Sequence, residues 1–142
     1  MRPMAPLLAA IALTALAPSA SARPLPVSPL DGRWTWTWTR AELLGRGDDP
    51  ADAAWNAGTH HITLSGGRFV HVTRRGESRG SFSVRRDVVT FISDNRYGGM
   101  RAGLPYSIRF SLYRDHITFR DLPGRGSSPL RYLALAPWTR AH

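Results

Sequence analysis

Asp31-Gly32-Arg33-Trp34-Thr35-Trp36-Thr37-Trp38-Thr39-Arg40 places three of the chain's five tryptophans at every second position, with threonine between them. In an extended strand successive side chains point to opposite faces, so Trp34, Trp36 and Trp38 share one face. Each indole can remove about 150–250 Å2 from water, worth at most roughly 4–6 kcal/mol at about 25 cal/mol per Å2. The chain has no cysteine, so no disulfide stands in for that energy. The segment therefore reads as the first strand of a sheet that buries its tryptophan face.

Downstream of this strand the periodicity changes. Thr39-Arg40-Ala41-Glu42 has the spacing of a capping box ahead of Leu43-Leu44, with Gly45 or Gly47 as the stop. Asp49-Pro50 repeats the signal, an N-cap followed by proline at the first helical position, and Gly58 ends it. Two short helices are expected within 40–57. From Thr59 onward the chain alternates between strand and turn signals, with strands expected over 60–64, 68–74, 80–84, 88–92, 106–113, 116–120 and 130–136. Ser65-Gly66-Gly67, Arg86-Asp87 and Arg114-Asp115 are the tight links, and residues 93–105 form the longest loop of this region. Ile108, Phe110 and Leu112 oppose Ser107, Arg109 and Ser111, the one-sided pattern of a half-buried antiparallel sheet. Eight strands joined in sequence order favour a meander closed into a barrel over a two-sheet sandwich.

The N-terminus carries a different pattern. Arg2, an apolar run from Leu7 to Ala17 and Ala20-Ser21-Ala22 together describe a secretory signal peptide over 1–22, cleaved near Ala22. The run is too short to span a bilayer comfortably, and no second one follows, so no transmembrane segment is expected in the mature chain. Residues 23–30, with three prolines, read as an extended lead-in to a domain over 31–140. The expected location is extracellular or at the cell envelope. A formal charge of +9 comes entirely from arginine, as there is no lysine. The arginines are scattered and several sit beside acids, which argues against nucleic-acid binding but is compatible with attraction to an anionic envelope surface.

Gly32-Arg33-Trp34, at the start of the first of eight meandering strands, resembles the Gly-x-Trp pattern of the lipocalin and wider calycin families. The helical pair resembles the fatty-acid-binding branch of that superfamily. The resemblance covers roughly residues 30–140, but lacks disulfides and the other lipocalin loop motifs. It implies an all-β, eight-stranded antiparallel up-and-down barrel with two short helices between strands 1 and 2. It also implies a small, largely apolar ligand held in the barrel interior, and an arginine from the closing segment packed over Trp34. Arg131 and Arg140 both stand for that arginine, so Gly32, Trp34, Arg131 and Arg140 are the expected structural residues.

Trp36, Trp38, Tyr97, Met100, Phe110 and Tyr132 are the expected ligand-binding residues, with Arg109 or Arg131 orienting the ligand if turned inward. The alternative is a solid-cored barrel acting as an envelope-associated module through its basic surface. Less favoured is an isomerase or cyclase, using a buried acid or one of Tyr106, Tyr113 and Tyr132. No serine carries a nucleophile motif, and no catalytic residue is assigned. Adjacent His60 and His61 must face opposite ways, and no carboxylate or cysteine has ligand spacing beside them. Haem on His71 or His60 is the nearest cofactor alternative, but neither metal nor cofactor is expected.

Overall fold

The computed structural model describes residues 27–124 and 129–142; the expected signal peptide and the first part of the lead-in lie outside them. Eight strands form one closed antiparallel barrel in sequence order. They are β1 (Gly32–Trp38), β2 (Gly58–Ser65), β3 (Arg68–Thr73), β4 (Gly76–Arg85), β5 (Val88–Ser93), β6 (Pro105–Tyr113), β7 (His116–Arg120) and β8 (Trp138–Arg140). Closure pairs every strand with a neighbour on each side. Between β1 and β2 lie α1 (Arg40–Gly45) and α2 (Pro50–Asn56). The capping box forms as its spacing requires, with Thr39 Oγ1 accepting from the Glu42 amide and the Glu42 carboxylate accepting from the Thr39 amide at 2.7 Å. Asp49 caps α2 by accepting from the Ala51 amide at 2.8 Å.

The eighth strand is not where alternation placed it. Residues 130–136 turn into a 3-10 helix, Arg131–Ala134, and the strand that closes the barrel is Trp138–Arg140. Leu130 and Leu133, three residues apart, are both fully buried, and the Leu133 amide donates to the Leu130 carbonyl at 2.8 Å. That is the period of a 3-10 turn, and it overrides the apparent alternation of Leu, Tyr and Ala. The segment thus crosses the barrel end instead of extending its wall.

One end of the barrel is plugged. Trp34 is fully buried and donates from Nε1 to the Leu30 carbonyl at 2.9 Å. The Arg140 guanidinium lies 4.3 Å from the centre of its ring and donates to the Asp31 carbonyl at 3.0 Å. Gly32, at φ +144°, leaves the room this needs, because a Cβ there would sit 2.5 Å from Arg140 Nη1. Arg140 is therefore the arginine that packs on Trp34. Arg131, offered for the same role, is exposed on the 3-10 helix at the opposite end and has no part in the plug.

Above the plug the interior is filled by Leu64, Phe69, Phe82, Phe91, Ile108, Ile117 and Phe119, all buried. The apolar face of β6 runs out of barrel before it ends. Ile108 is buried, Phe110 half-buried and Leu112 38% exposed. The pairing of β5 stops at Val88 opposite Arg109, so beyond Arg109 the β6–β7 hairpin projects with a partner strand on one side only. Gly80 marks the tightest strand contact: a Cβ there would lie 2.0 Å from the Ile92 carbonyl oxygen and 2.8 Å from the Phe69 ring. Gly80→Ala is expected to cost about 1–3 kcal/mol by forcing β4 away from β5. A urea-unfolding midpoint equal to that of the natural sequence would refute this.

Candidate functional site

The open end is built from the α1–α2 pair, the turn after β3, the 94–104 loop and the 129–137 segment. The helices are held down by a small core of Leu43, Ala53 and Ala57 packed with Trp38 and Leu135. Arg46 stacks on Trp38 at 4.7 Å and donates to the Leu135 carbonyl. Trp38 is thus the seat of the helices. It does not line the space beneath them.

That space is a cavity of about 560 Å3. Its walls come from Trp55 and Asn56 of α2, Thr73 at the end of β3, Tyr97 to Gly99 of the long loop, and Pro129, Arg131, Tyr132 and Leu135 of the crossing segment. Asp48, Asp49 and Asp52 complete the wall on the helical side, and His60 and His71 also line it. Deeper in the barrel, a space between Phe91, Met100, Leu130 and Leu133 amounts to only about 10 Å3, on the order of a single water.

His60 and His71 are 4% and 1% exposed, and they form the centre of a hydrogen-bonded chain. His60 Nε2 lies 3.0 Å from the Asn56 carbonyl, His60 Nδ1 lies 3.2 Å from His71 Nε2, and His71 Nδ1 lies 3.3 Å from the Tyr132 hydroxyl. A carbonyl can only accept, so Nε2 of His60 carries a proton. With both rings neutral, Nδ1 of His60 accepts from Nε2 of His71, and Nδ1 of His71 accepts from the Tyr132 hydroxyl. One backbone carbonyl therefore sets both tautomers and the direction of the phenol proton.

The rings reinforce this arrangement. Tyr132 stacks on His71 with centroids 5.3 Å apart, and Tyr97 meets His71 edge to face at 5.9 Å. The Tyr97 hydroxyl is in turn hydrogen-bonded to Thr73. Trp36 packs beside His60 at 4.6 Å and stacks on Trp138 at 5.9 Å.

Burial favours the neutral rings. His71 is pushed down to about 3, first by burial and then by the neighbouring His60. His60 is also lowered by burial, partly offset by its bond to the Asn56 carbonyl. Burial, with a smaller contribution from Tyr97, holds the Tyr132 phenol above its usual range.

Of the residues expected to bind ligand, Tyr97 and Tyr132 line this cavity. Trp36 stands behind His60; with Trp38 it faces a separate side cleft of about 340 Å3, where β1 and the 136–139 segment diverge. Met100 is buried beside the small apolar space below. Phe110 lies on the projecting part of β6, half-buried against the core, and does not line the cavity. Arg109 points outward to Asp87 at 3.0 Å, whereas Arg131 does reach the cavity wall.

The histidine pair was legible in principle. A two-residue Gly66-Gly67 turn pairs Ser65 with Arg68, which sets Ile62 opposite His71 and puts His60 diagonally beside it on the same inward face. Among the described residues no cluster of three or more His, Asp, Glu or Cys could hold a metal ion.

Comparison with known proteins finds no matching family model, no matching curated protein and no matching solved structure.

Proposed function

We propose that this is a secreted lipocalin-like binding protein that holds a small molecule at the open end of its barrel. The observation that carries the reading is the cavity of about 560 Å3 floored by His60, His71 and Tyr132, a volume within the range of roughly 300–1,000 Å3 typical of ligand sites. Directional polar groups on an otherwise packed barrel fix a ligand's orientation, and the helical pair seated on Trp38 closes one side. Polar groups share the lining with Trp55, Tyr97 and Leu135, a mixture that suits a ligand with both hydrogen-bonding and apolar parts.

An isomerase or cyclase would draw on the same Tyr132. The floor lacks a base for it, however: His71 is neutral with its basicity pushed down to about 3, and Tyr132 is held protonated. A catalytic base works best with a pKa near the operating pH. The geometry suits holding a ligand better than moving its protons.

Native mass spectrometry of protein recovered from its own host tests the reading. A co-travelling small molecule is expected, and Asn56→Trp, which fills the cavity from α2, is expected to lose it. Protein that arrives bare and takes up nothing from host extract would overturn it.

A further inference from the structure

We infer that the mouth cavity selects a small organic cation, an ammonium with N–H donors on a compact apolar or aromatic body. This rests on the open-end cavity being a binding site, and goes further by naming the class of ligand.

Three independent features of the cavity favour such a ligand. The first is charge. Asp48, Asp49 and Asp52 line the space against a single guanidinium, that of Arg131, in a chain whose formal charge is +9. Elsewhere four acids pair with arginines, Asp94 with Arg68, Glu77 with Arg79, Asp87 with Arg109 and Asp115 with Arg140, and Glu42 and Asp31 accept from backbone amides. Asp49 is occupied in capping α2. Among the described residues the Asp48 and Asp52 side chains have neither an ion pair nor a hydrogen bond, although Arg131 shares the same cavity wall. Unlike Asp121, which is also without a partner among the described residues, these two carboxylates lie on the cavity wall, where a bound cation would meet them.

The second is the direction of the histidine chain. Because the Asn56 carbonyl sets the tautomers of His60 and His71, the hydrogen of the Tyr132 hydroxyl is committed to His71. What Tyr132 can still offer a ligand is an acceptor lone pair. A ligand that only accepts finds no partner there, whereas an N–H or O–H donor does.

The third is the aromatic wall. Trp55, Tyr97 and Tyr132 line the space, and ring faces attract cations most strongly where water is displaced. Trp55 already demonstrates this on one side, where the Arg75 guanidinium lies 4.7 Å from its ring centre. Arg74 and Arg75 are both tied to the Ala54 carbonyl at 2.8 and 3.0 Å, which holds them on the outside of α2.

Calorimetric titration of the chain from Arg23 onward with phenethylammonium, 2-phenylethanol and 3-phenylpropanoate tests the inference, since the three differ mainly in charge. The ammonium is expected to bind at least about tenfold more tightly than the alcohol, with the carboxylate weakest. Asp48→Asn with Asp52→Asn is expected to remove most of that advantage, so that the ammonium and the alcohol bind about equally. Alcohol or carboxylate binding as tightly as the ammonium would overturn the cation inference and leave the binding site standing. So would silence from all three probes while a neutral or acidic molecule travels with the protein. If the probes are silent and the protein also arrives bare, both readings fall.

Discussion

Acidification from about pH 6.5 toward pH 3 is expected to remove on the order of 4 kcal/mol of stability through His71 alone. The folded protein holds this ring neutral down to about 3, against an ordinary value of 6.5. Between those two values the unfolded chain binds a proton that the folded chain refuses, so each step down in pH favours unfolding. The stabilisation is complete above about pH 6.5 and gone once pH falls through the folded value. His60, lowered in the same direction, adds to the slope. Against a typical total of about 5–15 kcal/mol, this removes a large share of the domain's stability as the pH approaches 3.

His71→Gln isolates the effect. A glutamine amide can accept from Tyr132 and donate to His60 but does not titrate across this range. The variant is expected to lose about 1–2 kcal/mol at neutral pH, with a visibly flatter decline in urea midpoint between pH 6 and 4. Parallel declines for the two proteins would mean that His71 is not held neutral, and the tautomer argument at Tyr132 would fall with it.

Trp34→Ala is expected to cost about 3–5 kcal/mol, comparable to the acid effect and enough to leave much of the protein unfolded at 37 °C. The indole is fully buried, stacked under Arg140 and bonded to the Leu30 carbonyl. Its removal leaves a hole at the plugged end and strips a buried carbonyl of its donor. Gly32→Ala attacks the same plug from the other side, since its Cβ would meet Arg140 Nη1 at 2.5 Å and its φ of +144° disfavours any side chain. The two substitutions share one structure, so the double variant is expected to lose less than the sum of the single losses. Strictly additive losses would show that Arg140 does not couple the two positions. Trp38→Ala is the contrasting case. It should loosen the helical pair packed on it while leaving the barrel closed, so ligand retention would fall more than the unfolding midpoint.

Local signals carried most of the architecture. The capping box at Thr39–Glu42, the Asp49-Pro50 start and the tight turns each act through bonds between near neighbours, and each formed where its residues stand. The inward face of β1 was legible for the same reason, since a period of two is a local property of the backbone. The assignment failed at residues 130–136, where Leu130 and Leu133 dock as a 3-10 turn over a barrel end that exists only after seven other strands have assembled. Met100 and Phe110 do not line the cavity for the same reason, because loop and strand-end residues take their surroundings from distant segments. Tyr132 bonds to a histidine 61 positions away, a partnership no local pattern announces.

The tryptophan strand shows where the division falls. By itself the sequence determined that Trp34, Trp36 and Trp38 face one way, that the strand opens an antiparallel meander, and that two capped helices follow it. Only the tertiary structure decided what each indole does: Trp34 plugs the barrel under Arg140, Trp36 stands behind His60, and Trp38 seats the helices. It also decided that the barrel is packed solid below and hollow at its mouth. A cavity is the difference between the volume enclosed by eight closed strands and the volume of the side chains inside them. Strand pairing across the whole chain sets the first quantity, and the inward register of every strand sets the second, so neither can be read from any one segment.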